Sequence, residues 1–259
     1  MRRLVALLAS CLVLVVPIGC APAAGCANAQ EACTRVLFIG NSYTYVNDLP
    51  TLVAGLARAG GHPIETGMAA EGGWTLADHV TSSATQAKLS SARWDVAVLQ
   101  EQSEIPAIGA FRTAQMYPAA RELARAVRLA GARPMFFLTW AHRDGWPENG
   151  LPDYARMQEA IDQGYLAIAG ELGVAVAPVG VAWSAVVAGS ARPDLWQEDG
   201  SHPSVAGTYL AGCVFYAAIF GQSPVGLAYD AGLPRDQVAS LQQAAADTVL
   251  ADQAHWGLP

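Results

Sequence analysis

Short apolar runs alternate with helical patterns along this chain, and this alternation limits the folds open to it. The runs are RVLFIG (35 to 40), PIETGMA (63 to 69), DVAVLQ (95 to 100), RPMFFLTW (133 to 140) and GVAVAPV (173 to 179). Apolar residues recur at helical spacing around 49 to 59, 76 to 90, 112 to 130 and 154 to 172. Apolar strands joined by amphipathic helices predict a parallel sheet covered on both faces, in a three-layer α/β/α sandwich.

The composition fits one large domain that follows an N-terminal targeting segment. The chain has 259 residues, of which 53% are hydrophobic, so it can bury a sizeable core. It shows no internal repeat, low-complexity tract or linker beyond its first residues, and we expect a single domain over residues 30 to 259. The net charge of -7 and the absence of a later Lys/Arg cluster argue against a nucleic-acid partner.

Residues 1 to 29 have the features of an export signal. Two arginines precede an apolar run that is too short for a membrane span, and small residues follow. Processing remains open between lipid attachment at Cys20, in the sequence PIGC, and ordinary cleavage after Ala23 or Ala29. We expect an exported bacterial protein, periplasmic, extracellular or in the cell envelope, that touches a membrane only through an anchor at Cys20.

The cysteines remaining after such processing suggest structural roles. Cys26 and Cys33 could close a short disulfide loop in an oxidising compartment, while Cys213 lies in an apolar helical pattern typical of a buried thiol. The sequence contains no C-x-x-C pair, no H-E-x-x-H and no other clustered metal ligands. We therefore expect no cofactor and no metal.

Ser42 follows the first apolar run, where a parallel sheet places its ligands. Gly-Asn-Ser after a strand is also a common turn, so Ser42 alone identifies nothing. A serine nucleophile needs a histidine base and a carboxylate that orients it. Asp199 and His202, in QEDGSHPS, supply both in one polar loop, where Pro203 favours extended backbone at His202. The sequence thus predicts a Ser42, His202, Asp199 triad.

The other histidines fit this role less well. His255 also follows an aspartate by three residues, but that pair ends a helical pattern and is interpreted as structural. His62, His79 and His142 have no carboxylate three residues earlier.

The loops after the second and third runs offer donors for the oxyanion of an acyl-transfer reaction. AAEGGWTL contains a glycine pair whose backbone can approach a ligand closely, and LQEQS contains side-chain amides. Each alone has an ordinary explanation, a turn or solvated surface. Their combination with Ser42 and D-x-x-H at the predicted strand ends favours a hydrolytic site.

These motifs, over roughly residues 35 to 221, resemble those of SGNH hydrolases, also called GDSL esterases and lipases. FIGNSYT resembles the first block, with Asn41 in place of the usual Asp; GGWT resembles the second; and DGSHPS resembles the last and most specific block. The resemblance implies a flavodoxin-like sheet of about five parallel strands. It also implies that the N–H groups of Ser42 and Gly73 bind the oxyanion and that no cofactor is required.

The third block departs from the family pattern, because LQEQS stands where Gly-x-Asn-Asp is usual. Related carbohydrate acetylesterases carry a Gln-Gly-Glu-Ser-like segment there, which points to Gln100 as the amide donor. Counting from the strand against Gly-x-Asn points to Gln102 instead. Both are candidates for the oxyanion hole, and we favour Gln100.

Aromatic and basic residues in the predicted loops are candidates for substrate binding. Tyr43, Trp74 and Trp140 are expected to rim the site, although Trp140 fits a core position equally well. Arg143 is a candidate to meet an acidic or hydroxylated group.

The loops are polar and include no long apolar lid, which favours small acyl esters. We expect an exported serine esterase acting on a small-molecule or glycan ester, with acetyl groups on carbohydrates or cell-envelope glycans as the favoured substrates. The alternatives are an acyltransferase to sugars and a non-catalytic carbohydrate-binding or partner-binding module.

Overall fold

The computed structural model describes Cys26, residues 33 to 189 and residues 193 to 259. The expected anchor at Cys20 and the expected cleavage sites lie outside these residues. Cys26 and Cys33 are joined by a disulfide with their Cα atoms 5.4 Å apart, and Cys213 is a buried free thiol. Within the described ranges, no helix is both long and apolar enough to cross a membrane.

The described residues contain one five-stranded sheet, in the order β2-β1-β3-β4-β5, and every neighbouring pair is parallel. The strands are β1 (Thr34–Gly40), β2 (Ile64–Ala70), β3 (Val96–Leu99), β4 (Arg133–Phe137) and β5 (Ala175–Ala177). β1 and β3 lie in the interior of the sheet, and their apolar residues are buried because helices cover both faces. The predicted fold class, a three-layer sandwich with a flavodoxin-like parallel sheet, is confirmed.

The helices connect and flank these strands. They are α1 (Ser42–Tyr45), α2 (Leu49–Ala59), α3 (Leu76–Thr81), α4 (Ser83–Ser90), α5 (Gly109–Phe111), α6 (Tyr117–Leu129), α7 (Tyr154–Leu172), α8 (Val179–Ala188), α9 (Val205–Phe220) and α10 (Arg235–Leu250). Short 3₁₀ turns lie at Val46–Asp48, Ile105–Ala107 and Pro147–Asn149, and a π-helical turn lies at Arg112–Met116.

The sequence patterns located most elements but missed several ends. The helix predicted over 76 to 90 is divided at Ser82, whose side chain caps α4 by accepting the Thr85 N–H at 3.1 Å. The run RPMFFLTW is a strand only to Phe137, and its last residues form a loop above the sheet. Apolar composition alone does not show where a strand stops pairing with its neighbours in the sheet.

The strand order places the helices on two faces. The connection from β1 to β2 runs in one direction across the sheet, and a right-handed crossover places its helix, α2, on one face. The connections from β2 to β3, β4 and β5 run in the opposite direction, so their helices lie on the other face: α3, α4, α6 and α7. The helix α9 packs against α2 and α10 on the first face, and nearly all of its side chains are buried.

The order of strands reverses between β1 and β3, which leaves a crevice at their carboxyl ends. The chain segments that follow β1 and β3 both lie at this crevice. They carry Ser42 and residues 100 to 104, so the topology brings the predicted site residues to one edge of the sheet.

Candidate active site

Ser42 is held at the end of β1 by a short capped helix. The strand ends at Gly40, and Asn41 caps α1 because its Oδ1 accepts the N–H of Tyr43 at 3.1 Å. Ser42 is the first residue of α1 and is half-buried at the floor of a cleft.

The loop before α9 brings His202 and Asp199 to Ser42. His202 Nε2 lies 2.9 Å from Ser42 Oγ, and His202 Nδ1 lies 2.6 Å from Asp199 Oδ2. The other carboxylate oxygen of Asp199 accepts the N–H groups of Ser201 and His202, each at 2.9 Å. The structure thus brings together the three residues that the sequence suggested as a triad.

The environment of Asp199 keeps it ionised. Burial raises the pKa of this carboxyl group, but hydrogen bonds from the Ser201 N–H and from the ring and backbone of His202 outweigh burial, so the pKa lies below its usual value. An ionised Asp199 can fix the orientation of the imidazole and stabilise its protonated form.

Asn47 ties the helix that carries Ser42 to the loop that carries His202, a role that the sequence analysis missed. Its Nδ2 donates to Pro203 O at 3.0 Å and to Thr208 Oγ1 at 2.9 Å. Asn47 has a left-handed backbone with φ of 55°, a conformation that asparagine tolerates better than most residues. The contact joins residues far apart in the chain, so no local pattern signals it.

The glycine turn after β2 faces Ser42 across the cleft. Gly73 has φ of +74°, which favours glycine, and no described acceptor takes the N–H of Gly73 or of Ser42. Asn41 Nδ2 donates to Trp74 O at 2.9 Å and thereby fixes this turn against the end of β1. Both N–H groups are available to a ligand.

The side chain of Gln100 does not lie in the cleft, where the favoured role as an oxyanion donor would require it. Its side chain is fully buried: Nε2 donates to Asn41 Oδ1 at 2.8 Å and to Glu101 O at 2.6 Å, while Oε1 accepts the Asn41 N–H and the Thr44 hydroxyl. Both amide hydrogens are therefore already used. The preference for Gln100 as an oxyanion donor has to be corrected.

Gln102 lines the cleft instead. Its Oε1 accepts the N–H groups of Glu104 at 2.8 Å and Ile105 at 3.2 Å, which fixes the direction of the amide. Its Nε2 makes only a long contact of 3.4 Å, to Ser103 Oγ. Gln102 therefore keeps donor capacity in the cleft that Ser42 also lines.

The aromatic residues expected at the rim have different places. Tyr43 lines the cleft, and its hydroxyl lies 2.8 Å from Ser201 Oγ. Trp140 is fully buried between Tyr43 and Trp183, so it is a core residue and does not rim the site. Trp74 is half-buried and packs edge-on against His79.

Arg143 points away from the cleft. Its guanidinium lies 2.9 Å from the Asp194 carboxylate, donates to Gln197 O at 3.1 Å and lies over the Trp196 ring. The expectation that Arg143 binds substrate is not supported by this position, because its hydrogen bonds hold it against Asp194 and Gln197, in the loop that also carries Asp199 and His202.

The remaining histidines divide into structural residues and one cleft residue. His79 is buried between Gly40 O and Thr85 Oγ1, each at 2.8 Å. His255 lies in a turn beyond α10, not on its face as expected, and its N–H donates to Asp252. His142, which the sequence analysis set aside, lines the cleft.

The cleft has a volume of about 350 Å³, and five chain segments, one after each of β1 to β4 and one before α9, line it with mostly polar side chains. A larger cavity of about 550 Å³ lies between α7 and α8, but none of the residues around Ser42 lines it. Over the described part of the chain, no group of three or more His, Cys, Asp or Glu side chains could hold a metal ion.

Glu101 is a further site residue that the sequence analysis missed. It is fully buried, and its Oε1 accepts the N–H groups of Leu76 at 3.0 Å and Gln102 at 2.7 Å, while Oε2 has no partner among the described residues. Glu101 thus links the loop of Gly73 to the loop of Gln102. Burial raises its pKa to about 7, although both N–H groups lower it. A charged residue two positions after the end of an apolar strand is the signal that could have found it.

The raised pKa of Glu101 predicts a pH dependence of stability. The folded protein binds this proton more tightly than the unfolded chain, so the free energy of unfolding falls as pH rises from about 4.5 to 7. We expect Glu101→Gln to remove this part of the fall, which is at most about 3 kcal/mol. Urea unfolding at several pH values measures it, with the exposed Glu148→Gln as control. If the free energy of unfolding depends on pH in the same way for wild type and Glu101→Gln, the prediction is wrong.

No protein-family model and no curated protein matches this sequence. Among solved structures, the chain is similar to a proposed SGNH hydrolase from Slackia heliotrinireducens, with 32% identity and a TM-score of 0.63, covering 73% of this chain and 100% of that one. It also shares its fold with a DUF4886 family protein from Bacteroides uniformis, at 21% identity and a TM-score of 0.71, covering 85% and 95% of the two chains.

A third similar structure is a variant of an acetyl-xylooligosaccharide esterase from Geobacillus. It has 13% identity and a TM-score of 0.54, and the match covers 80% of this chain and all of that one. At this identity the similarity shows the fold alone.

Proposed function

This chain belongs to the SGNH hydrolase family, whose members hydrolyse esters, and on that premise we propose that it is an exported serine esterase for small acyl esters of hydroxyl-rich alcohols. The observation that carries the proposal is the chain of contacts from Ser42 Oγ through His202 to Asp199, at 2.9 and 2.6 Å. These distances allow proton transfer without rearrangement of the loop.

In the proposed reaction, Ser42 Oγ attacks the ester carbonyl carbon while His202 Nε2 takes its proton. The carbonyl π electrons move to the oxygen. When they return, the bond to the alcohol breaks, and His202 gives its proton to the leaving oxygen. Water then attacks the acyl-enzyme with the same assistance from His202 and releases the acid and Ser42. Asp199 stabilises the imidazolium in both steps.

Three donors are proposed for the oxyanion: the N–H groups of Ser42 and Gly73 and the amide of Gln102. Support comes from their shared cleft and from the unused hydrogens of all three groups. Donors held by the fold before the reaction stabilise developing charge without reorganisation. The contact from Asn41 to Trp74 O holds the Gly73 turn in place.

The size and lining of the cleft support a small acyl group. Its volume of about 350 Å³ is shared by both halves of the ester, and Tyr45 and Gly72 approach each other at one side. Acetyl esters of carbohydrates are the proposed substrates. The same fold carries this activity in the acetyl-xylooligosaccharide esterase.

Export is supported by the basic and apolar character of residues 1 to 29 and by the Cys26–Cys33 disulfide, which needs an oxidising compartment. We expect the mass of the protein isolated from its own organism to lack the first 19 residues if Cys20 is lipidated, or the first 23 residues if signal peptidase cuts after Ala23. A cut after Ala29 would remove Cys26, so it is incompatible with the disulfide. A mass that includes the full N-terminus would contradict export.

Substitution of the proposed triad tests the reaction. With p-nitrophenyl acetate as substrate, we expect Ser42→Ala and His202→Ala to lower kcat by about 10³ or more. His255→Ala is the control, because His255 also follows an aspartate by three residues but lies outside the cleft. Equal activity of wild type and Ser42→Ala would refute the assignment and favour a non-catalytic binding protein.

The same substitution at two glutamines tests the oxyanion donors. Gln102→Glu keeps the oxygen that accepts the Glu104 and Ile105 N–H groups but loses the donor, so we expect kcat to fall about 10²-fold with little change in Tm. Gln100→Glu is expected to lower Tm instead, because it places a carboxylate against Asn41 Oδ1. If the kcat of Gln102→Glu lies within threefold of the wild-type value, Gln102 is not an oxyanion donor.

A further inference from the structure

A second group of polar side chains lies in the cleft beside those already described. Ser103 and Glu104 follow β3, and His142 follows β4. His142 Nε2 lies 3.3 Å from Ser103 Oγ, and Gln102 Nε2 lies 3.4 Å from the same oxygen. Both distances exceed the roughly 2.7 to 3.2 Å of a well-formed hydrogen bond. These side chains therefore retain capacity to bind a ligand.

The position of His202 tells which half of the ester these residues face. The leaving oxygen has to lie within hydrogen-bonding distance of His202 Nε2, which protonates it, so the alcohol extends over the neighbouring part of the cleft. His142 lies beside this part, because it lines the same cleft as His202 and the backbone N–H of the next residue, Arg143, donates to Gly200 O at 2.8 Å, two residues before His202.

His142 has the properties of a neutral hydrogen-bonding ring. Burial is the main cause that lowers its pKa; Glu104 and Asp199 raise the pKa by smaller amounts, and His202 lowers it further. A neutral imidazole has one donor and one acceptor nitrogen, so it can pair with a hydroxyl in either direction. It also avoids repulsion of the imidazolium that forms at His202 during the reaction.

We propose that His142, Ser103 and Glu104 form a subsite for hydroxyl groups on the alcohol half of the ester, so that the natural alcohol is a polyol such as a sugar. The inference rests on the proposed ester hydrolysis at Ser42. An imidazole, a hydroxyl and a carboxylate in one patch offer both donors and acceptors to adjacent hydroxyls. A long alkyl alcohol would cover these polar groups and leave them unpaired, which costs binding energy.

Two acetate esters with different alcohols test the subsite. One is p-nitrophenyl acetate, whose alcohol carries no further hydroxyl, and the other is xylose acetylated at one position. We expect His142→Phe to lower kcat/KM for the sugar acetate at least about tenfold more than for p-nitrophenyl acetate, as expected for the loss of one hydrogen bond to substrate. His142→Gln should recover part of this difference, because an amide also donates and accepts.

His62→Phe is the matched control, because His62 stacks on Phe220 outside the cleft, and the ratio of the two kcat/KM values should stay at its wild-type value. Equal losses on both esters, or no loss on either, would overturn the subsite. If His142→Phe lowers Tm by more than a few degrees, Ser103→Ala replaces it as the test of the subsite. The ratio of its kcat/KM values for the two esters is then compared with the wild-type ratio.

Two outcomes distinguish failure of this inference from failure of the proposed esterase function on which it rests. A wild-type enzyme that cleaves p-nitrophenyl acetate but not the sugar acetate would overturn the polyol subsite and leave the esterase intact. If wild type and Ser42→Ala are equally inert towards both esters, the proposed function fails and the subsite with it.

Discussion

Two buried hydrogen bonds between Asn41 and Gln100 join the turn that carries Ser42 to the end of β3. The Asn41 N–H donates to Gln100 Oε1 and Gln100 Nε2 donates to Asn41 Oδ1, each at 2.8 Å. Leaving either partner unpaired in this interior would cost about 1 to 3 kcal/mol. Asn41 Nδ2 extends the link to Trp74 O. An aspartate, which is usual in the family at this position, has no hydrogen for that last contact, so asparagine suits this arrangement of loops.

A stack of aromatic rings sets the position of the histidine loop relative to the same turn. Trp183 stacks on Trp140 at 4.1 Å, and Trp140 stacks on Tyr43 at 4.4 Å. From the middle ring, Trp140 Nε1 donates to Ser201 O, and at one end of the stack the Tyr43 hydroxyl contacts Ser201 Oγ. Because Tyr43 adjoins Ser42 and Ser201 adjoins His202, rigid buried rings help to fix the spacing between Ser42 and His202. This contact accounts for the core position of Trp140, which was one of the two positions that the sequence allowed.

The sequence predicted the features that depend on local pattern. Apolar runs identified the strands, and D-x-x-H in a polar loop pointed to Asp199 and His202, whose side chains lie 2.6 Å apart in the structure. It could not decide between Gln100 and Gln102. That choice depends on the buried pairing of Gln100 with Asn41, a contact between residues 59 positions apart. Distant contacts of this kind leave no local signal, and they determine which side chains at a strand end reach the cleft.

The charges around the cleft restrict the esters that fit it. Among the residues that the structure describes, the lining of the cleft includes Glu104 but no lysine or arginine, and Arg143 is held by Asp194 outside it. The ionised Asp199 lies 2.6 Å from His202 Nδ1 and would balance the imidazolium of the proposed reaction. An anionic ester would meet negative charge in a half-buried site without a compensating cation, which is costly where water is partly excluded. A neutral ester with hydroxyl groups avoids this cost, because the uncharged donors and acceptors of the cleft pair with it directly.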